Sequence, residues 1–575
     1  MRLRLFILLI LALVSISFAC LDTVGHFIPA VVETGGELVH ITVKAVPGDG
    51  KVFISAFPHT GITTQASAED AVYYAFLKTG QDKTRCDILI SIDGDVAEYV
   101  EGPSAGVAFA MLTYAALENK EIKNDVSFTG GVNKKGDTIP VGGLYEKTKA
   151  LGINKVKYFI TPTNSLHERI ILSQLKKKYN VEVIEAENLD EVVNFLFLNG
   201  TIERKKLTVP IRELPNLENY EVSDLEKFKQ VTLKLIDLEN QTINNILTTN
   251  EDIKEIKILF LTEVNRQTAL VDKGYLFSAA NDAFLNYIDA STVLNGANPD
   301  SININKKIDD VNKCLDSIPK IKKTASNYEW IIGADLRTTW ANQRLDSIDT
   351  ENIVLAEEKY FAFNQIMYAD AWCKVASGLI NVAGNGGPIE ESAWRGIALD
   401  KIKEIERLNL SDIELEEHFE SAKLAFNNQK YGAALYDSMF AMSMYNSDKT
   451  LALTPTLNIV ATINRLKTEK RASLWGRIYQ TQGALLAQSS SDEDQKNAYR
   501  LLQFAKDLDD LNEQIKKYII QENPSIRGPK LGQGDGKTEN IEVELPKLDI
   551  EGQSCIPSFI FLSTLMVAFI RRYHN

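Results

Sequence analysis

Cysteine and histidine are scarce in this sequence, and neither residue type occurs in a pattern that binds a metal ion. The 575 residues include five cysteines and six histidines, with no Cys-x-x-Cys pair and no His-Glu-x-x-His motif. The spacing therefore predicts neither a zinc site nor a disulfide scaffold, and any disulfide between these cysteines would be incidental. We expect no metal and no cofactor. A chain of this length can instead form two or more domains that each bury a hydrophobic core.

Positive charge is also in short supply. The 63 lysines and arginines are outnumbered by 77 aspartates and glutamates, which gives a net charge of −14 at neutral pH. A chain this acidic repels the phosphate backbone, so we expect protein partners and no nucleic acid. The sequence contains no Gly-x-x-x-x-Gly-Lys-[Ser/Thr] loop, the motif that cradles the phosphates of ATP. Hydrolysis of ATP is therefore not predicted.

Apolar runs long enough to engage a membrane are few and lie near the two ends. At the start, two arginines precede an apolar run, and Ser17 and Ala19 are small residues at the positions that a signal peptidase reads. Residues 1–19 are therefore predicted to be a secretory signal peptide, cleaved after Ala19. A lipoprotein signal at Cys20 is the alternative.

At the other end, residues 555–571 are predicted to be a transmembrane segment. Ile556–Ile570 is largely apolar and is followed by Arg571 and Arg572, which mark the cytoplasmic side. A helix of that length extends only ~22 Å, so it must thin the bilayer or use flanking residues to cross a hydrocarbon core of ~30 Å. The sequence thus predicts a single-pass protein of the cell membrane whose main body is extracytoplasmic. A cleaved sorting tail is the rival interpretation.

The chemistry of the chain is predicted to lie in two short motifs. One is Glu101–Gly106, with the sequence Glu-Gly-Pro-Ser-Ala-Gly, and the other is Gly142–Lys147, with the sequence Gly-Gly-Leu-Tyr-Glu-Lys. A serine after a Gly-Pro turn at the start of a helix has an exposed hydroxyl close to backbone N–H groups that can hold an oxyanion. A lysine can act as its base if burial lowers the pKa of the amine from ~10.4 toward neutrality. We therefore predict that Ser104 and Lys147 form a catalytic dyad.

These motifs resemble the proteolytic domain of Lon proteases, which carries a Pro-Ser-Ala-Gly nucleophile motif and a downstream Gly-Gly-Leu-x-Glu-Lys motif. Here the serine and the lysine are 43 residues apart (147 minus 104), and the resemblance extends over roughly residues 30–198. It implies a serine endopeptidase that cleaves flexible or unfolded polypeptides and tends to form homo-oligomers. It also implies that Thr129 orients the lysine and that Glu101 stands where the family has an acidic residue. The ATPase module of a typical Lon protease is not found in this sequence.

Three alternatives remain open at the level of sequence. The serine could merely cap a helix while the lysine is a solvated surface charge. The serine turn could also belong to a phosphate-cradling loop of the small-molecule kinase type, although only two glycines flank it. Finally, the chain could be a non-catalytic scaffold, built on a Lon-like domain, that binds partners through its helical region.

Periodicity predicts an α+β domain over residues 22–205. Strands at 38–45 and 51–56 are predicted to form a hairpin, and a strand at 86–92 leads to the serine turn. The remaining elements are predicted as helices at 66–77, 105–117, 144–151, 165–178 and 189–198 and strands at 126–128, 156–161 and 181–184.

Residues 216–521 read as helical almost throughout, which predicts an all-α second domain. Phe419–Tyr445 has the small and aromatic residues of a tetratricopeptide-type helix pair, so either a helical-repeat solenoid or an irregular helical bundle fits the pattern. Residues 522–554 form a polar tether rich in proline and glycine. Four tryptophans are predicted to be core residues rather than binding residues: Trp330, Trp340, Trp372 and Trp394.

Overall fold

The computed structural model describes residues 20–522, with gaps at 21, 33–34, 58, 61, 94–98, 101, 204–216, 221–223, 249–250, 297, 385, 409 and 411. The predicted signal peptide, the tether and the predicted transmembrane segment lie outside the described residues. Within the part that is described, none of the helices is both long and apolar enough to cross a membrane.

The first domain mixes strands and helices, and the second is helical, so the predicted fold class is confirmed. In chain order the strands are β1 (Thr23–Val32), β2 (Gly35–Pro47), β3 (Val52–Phe57), β4 (His59–Thr60), β5 (Cys86–Asp93), β6 (Tyr99–Val100), β7 (Val126–Phe128), β8 (Gly131–Val132), β9 (Thr138–Ile139), β10 (Tyr158–Thr161) and β11 (Glu182–Glu185). The helices of this domain are α1 (Ile62–Thr79), α2 (Gly106–Glu118), α3 (Leu144–Ile153), α4 (Leu166–Tyr179) and α5 (Leu189–Phe197).

A four-stranded sheet with the order β1-β2-β5-β3 forms one layer of the first domain. The predicted hairpin between residues 38–45 and 51–56 is wrong, because β5 lies between β2 and β3, antiparallel to the first and parallel to the second. The hairpin partner of β2 is β1, which the sequence analysis missed. Gly25 and Pro29 weaken the strand signal of β1, and the proline is tolerated because β1 lies at the edge of the sheet.

Helix α2 is the centre of the first domain. Every residue from Gly106 to Leu117 is buried, as expected for a helix that is apolar all round. A second sheet has the order β11-β10-β7 with all strands parallel, and its buried residues Phe128 and Ile160 belong to the same hydrophobic cluster as α2. Since α2 follows the serine turn directly and α3 carries Lys147, these two helices fix both motifs within the core.

The second domain consists of helices α6 to α17 in the described ranges. They are α6 (Glu226–Asn245), α7 (Glu251–Asp272), α8 (Leu276–Gly296), α9 (Ile304–Asp316), α10 (Tyr328–Asp346), α11 (Ala356–Ala383), α12 (Arg395–Glu406), α13 (Ile413–Asn427), α14 (Tyr431–Leu453), α15 (Thr456–Leu466), α16 (Leu474–Leu486) and α17 (Asp492–Glu522). The predicted tetratricopeptide-type pair corresponds to α13 and α14, with Ala422, Ala434 and Ala441 fully buried. One hydrophobic cluster nevertheless draws residues from Leu217 to Ile519. Helices distant in sequence thus share one core, which favours a bundle over a solenoid, where each repeat packs only on its neighbours.

Four of the five cysteines pair in two disulfides, which the spacing of the cysteines did not predict. Cys20 is bonded to Cys86, with 5.7 Å between their Cα atoms, and Cys314 to Cys373, with 6.3 Å. Both Cα separations lie in the range that a disulfide bridges. The partners are 66 and 59 residues apart, so only the tertiary fold brings them together. One disulfide ties Cys20, just before β1, to the first residue of β5, and the other joins α9 to α11.

Candidate active site

Ser104 lies in a short 3-10 turn, Pro103–Ala105, that runs directly into α2. Its side chain is half-buried. Two glycines make the turn: Gly102 has φ 114°, a conformation that side chains rarely adopt, and a Cβ on Gly106 would lie 2.5 Å from Ser67 Oγ. The Gly-Pro-Ser-Ala-Gly motif therefore builds a tight turn that leaves the serine partly accessible.

Hydroxyl groups at the start of α1 hold this turn in place. Thr64 Oγ1 donates to the carbonyl oxygen of Gly102 at 3.1 Å, and Ser67 Oγ donates to that of Pro103 at 3.2 Å. In return, the Gly102 N–H donates to Thr63 Oγ1 at 3.1 Å. The sequence analysis missed these three supporting residues. They lie more than thirty residues before the turn, and the only signal is a cluster of hydroxyls at a helix start.

The segment that contains Thr129 is bonded to the serine turn. The Ser104 carbonyl oxygen accepts hydrogen bonds from the Gly130 N–H at 2.9 Å and from Thr129 Oγ1 at 3.1 Å. The Val107 N–H donates to the Gly130 carbonyl oxygen at 2.9 Å. Gly130 has φ 140°, and a Cβ there would meet the Pro162 ring at 2.8 Å. The backbone of Thr129 and Gly130 therefore packs directly against the serine turn.

Lys147 is buried in the first turns of α3, with only 3% of its surface exposed. Its Nζ donates hydrogen bonds to the Gly142 carbonyl oxygen at 2.9 Å and to Thr129 Oγ1 at 3.3 Å. Burial lowers the pKa of Lys147 to about 8, because desolvation penalises the ammonium form, and the negative charge of Glu357 opposes this shift. The amine is thus partly neutral near physiological pH.

Thr129 connects the two predicted dyad members. Its hydroxyl accepts from Lys147 Nζ and donates to the backbone carbonyl of Ser104. Among the described residues, no hydrogen bond joins the Ser104 hydroxyl directly to Lys147 Nζ. Glu101, the fourth predicted site residue, lies outside the described residues. Thr129 is thus bonded to both Lys147 and the backbone of Ser104, while the described residues show no direct hydrogen bond between the serine hydroxyl and the lysine amine.

Two glutamates join α3 to the first turn of α11 in the helical domain. Glu357 Oε2 accepts the Gly143 N–H at 2.5 Å, and Glu146 Oε1 accepts the Ala356 N–H at 2.6 Å. Each helix start therefore receives a capping carboxylate from the other. The sequence analysis missed Glu357, which is 214 residues from Gly143 and belongs to no motif. The second domain thus braces the helix that carries the lysine.

The arrangement offers a buried amine of lowered pKa next to a helix-start serine. In the parts of the chain that the structure covers, no group of three or more His, Cys, Asp or Glu residues is placed to hold a metal ion. The N–H groups of Gly106 and Val107 are already used by the carbonyls of Pro103 and Gly130. An oxyanion at this turn would therefore have to bind the amides of Ser104 or Ala105.

Residues 21–199 match the family described as the Lon protease (S16) C-terminal proteolytic domain. The chain is 30% identical over 182 residues to a Lon protease of Lawsonia intracellularis, an overlap of 30% of this chain and 21% of that protein. It is 34% identical over 141 residues to an archaeal Lon protease of Thermoplasma acidophilum, which covers 24% of this chain and 20% of that protein. It is 31% identical over 134 residues to an archaeal Lon protease of Pyrococcus abyssi, with 23% and 13% covered. The chain thus spans about a fifth or less of the length of these curated relatives.

Proposed function

Because residues 21–199 are a Lon-type proteolytic domain, we propose that this chain is a serine endopeptidase in which Ser104 is the nucleophile and Lys147 the general base. The observation that carries the proposal is the environment of the lysine amine. It is buried, its pKa is lowered to about 8, and it is hydrogen-bonded through Thr129 to the serine turn. A buried lysine of this kind can serve as a base without histidine.

The hydrogen bonds of Lys147 suit the neutral amine. A neutral –NH₂ group has two N–H donors and one lone pair. The two donors match the two acceptors that surround Nζ, the Gly142 carbonyl and the Thr129 hydroxyl. The lone pair is then left to accept the proton of Ser104. Thr129 acts as a positioning residue, because it binds both the amine and the backbone of the serine turn.

The reaction would proceed by acyl transfer. Ser104 Oγ attacks the peptide carbonyl carbon while its proton moves to Lys147 Nζ, which gives a tetrahedral oxyanion and an ammonium. Collapse of this intermediate breaks the C–N bond, and the ammonium returns the proton to the leaving amine. Water then attacks the acyl-enzyme, Lys147 takes the water proton and passes it to Ser104 Oγ, and the acid product leaves. Substrate binding must bring the serine hydroxyl and the amine together, and such contacts are often long before substrate binds.

Covalent labelling tests this assignment directly. A fluorophosphonate probe should modify the wild-type chain at Ser104, identified by mass spectrometry, and should not modify Ser104→Ala or Lys147→Arg. Lys149→Arg is the matched control, because Lys149 lies on the same helix with about 40% of its side chain exposed, and it should label normally. Absence of labelling in the folded wild-type chain would favour the non-catalytic scaffold. Labelling that survives in Lys147→Arg would contradict the role of the lysine.

We also propose an extracytoplasmic location for the main body, anchored by residues 555–571 after removal of residues 1–19. The two disulfides support it, because such bonds persist in oxidising compartments. The disulfide of Cys20 argues against the lipoprotein alternative, since one sulfur atom cannot carry both a lipid and a disulfide. Homo-oligomerisation, binding of protein partners by the helical domain and the supporting role of Glu101 stay predictions.

A further inference from the structure

A cavity of about 210 Å³ opens inside the helical bundle, away from the proposed peptidase centre. Residues of α8, α10, α11, α13, α14, α16 and α17 line it. Its volume exceeds that of a ~150 Å³ cavity that accommodates benzene, so a ring with a short substituent fits. The wall is rich in aromatic side chains, among them Trp340, Tyr368, Trp372, Phe440, Tyr479 and Phe504.

Two of the four tryptophans predicted to be core residues belong to this wall. Trp330 and Trp394 are packed in the bundle core, as predicted. Trp340 and Trp372 also pack on that core, but they line the cavity as well, and Trp340 keeps accessible surface inside the domain. Whether this pair also contacts a ligand stays a prediction.

Two arginines on one face of α10 line the cavity and favour the binding of an anion. Arg337 is 5% exposed, and its guanidinium carbon lies 4.4 Å from the centre of the Trp475 ring. Its Nη1 donates to the Gly333 carbonyl of its own helix, and its Nε is buried without a hydrogen-bond partner. Arg344 donates to Gln365 Oε1 at 2.7 Å. Within the described ranges, neither guanidinium has an ion pair within 4 Å. Burial lowers the pKa of both arginines, and Asp437 opposes this shift for Arg337 and Glu417 for Arg344.

Three acids line the cavity together with the two arginines. Asp437 accepts hydrogen bonds from His418 Nδ1 at 2.9 Å, from Trp340 Nε1 at 3.1 Å and from Ser421 Oγ at 2.6 Å, so its oxygens are engaged. Burial raises the pKa of Glu417 to about 7, which leaves this group partly protonated at neutral pH. Glu414 is the third acid in the wall.

We propose that this cavity binds a small organic carboxylate whose apolar or aromatic group packs among the rings and whose carboxylate pairs with Arg337 and Arg344. A guanidinium binds a carboxylate through two parallel hydrogen bonds, and it does so most strongly where water is excluded. The ligand would add a directly hydrogen-bonded carboxylate to the longer-range effect of Asp437 and Glu417 on the arginines. A free small acid and the C-terminal residue of a peptide both carry such a carboxylate.

Three probes of the same shape test the charge preference. 3-Phenylpropanoate, 3-phenylpropanamide and 3-phenylpropylamine carry one ring and one chain but differ in charge. Isothermal titration calorimetry on the full chain should show one site for the acid, binding at least about tenfold weaker for the amide, and no binding for the amine. The proposal is overturned if the acid does not bind at millimolar concentration, or if the amine binds as tightly as the acid.

Variants locate the site. Arg337→Met and Arg344→Met should each weaken the acid by about tenfold or more and leave the amide unchanged. The control is Arg395→Met, because Arg395 also stacks on an aromatic ring, that of Phe426, but does not line the cavity. If the buried arginine variants fail to fold, Ser347→Trp serves instead, since Ser347 is an exposed residue of the lining and a large ring there should block entry. An acid-over-amide preference that survives in every folded variant of this set would exclude the site.

A peptide arm separates the two sources of the carboxylate. The tripeptide Ala-Ala-Phe and its C-terminal amide are compared by the same calorimetry. Binding of the tripeptide acid but not of its amide would identify a peptide end as the ligand, whereas binding of 3-phenylpropanoate without the tripeptide would identify a free acid. Either result supports the carboxylate site, and equal binding of both tripeptides would contradict it.

Discussion

Thr129 is hydrogen-bonded to both members of the proposed dyad. Its hydroxyl accepts from Lys147 Nζ at 3.3 Å and donates to the Ser104 carbonyl at 3.1 Å. Replacement by valine keeps the shape and removes both bonds. We expect Thr129→Val to lower kcat for an unstructured peptide by about tenfold to a hundredfold, because small misplacements of reacting groups cost that much. KM should change little.

A conservative variant distinguishes positioning from packing. Thr129→Ser restores the hydroxyl without the methyl group and should recover most of the lost kcat. Thermal melting of both variants shows whether the fold is intact. If the serine variant is as slow as the valine variant, the hydroxyl is not what Thr129 contributes.

At this scale the site residues divide into predictable and unpredictable ones. Ser104 and Lys147 were predicted from short local motifs and Thr129 from the resemblance to Lon-type domains, and the structure joins the three segments by hydrogen bonds. Thr64 and Ser67 contribute through hydrogen bonds to backbone carbonyls more than thirty residues away. Such contacts depend on the packing of α1 and leave no pattern in the sequence.

At the scale of elements, the contact between α3 and α11 links the helix that carries Lys147 to the helical domain. The carboxylate of Glu357 bonds the Gly143 N–H and raises the pKa of Lys147 against the effect of burial. Glu357→Gln keeps an oxygen that can accept this hydrogen bond but removes the charge. The pKa of Lys147 should then fall further, so the rise of kcat/KM with pH should shift to lower pH.

Glu358→Gln is the matched control for that experiment. Glu358 belongs to the same helical turn, where it accepts the N–H groups of Val354 and Leu355 at 3.0 and 2.9 Å. Its pH profile should follow that of the wild type. An unchanged or upward-shifted midpoint in Glu357→Gln would show that the charge does not act on the lysine.

Element positions were predicted far better than element partners. The bounds of β5, β7, α4 and α5 follow the sequence prediction closely because apolar periodicity and capping residues are local signals; Ser165, for example, caps α4 with Glu168. Strand pairing is not local. The insertion of β5 between β2 and β3 depends on the path of α1, and no periodicity of the strands themselves encodes it.

At the scale of the whole molecule, we expect the Cys314–Cys373 disulfide to stabilise the fold. It closes a loop of about sixty residues between α9 and α11. Cys314→Ser with Cys373→Ser should lower the free energy of unfolding by ~2–4 kcal/mol, measured as a lower melting temperature without reductant. Cys555→Ser, outside the described residues, should melt like the wild type. Equal melting of all three chains would show that this disulfide contributes little.

The predicted anchor gives a second prediction at this scale. Deletion of residues 555–575 should release a folded chain into the soluble fraction, because the tether of 522–554 separates the anchor from the last described helix. Circular dichroism of the released chain should match the detergent-solubilised wild type. Aggregation with loss of helical signal would mean that the tail belongs to the fold.

The central claim is that Lys147 works as a neutral base for Ser104. The most direct measurement is the pH dependence of kcat/KM on an unstructured peptide, compared between wild type and Lys147→Arg. Because the amine must lose its proton before it can accept one, wild-type activity should rise with pH through a midpoint near the lysine pKa of about 8. Arginine keeps the charge but cannot deprotonate, so its variant should be inactive at every pH. Substantial activity in Lys147→Arg would contradict the proposed mechanism.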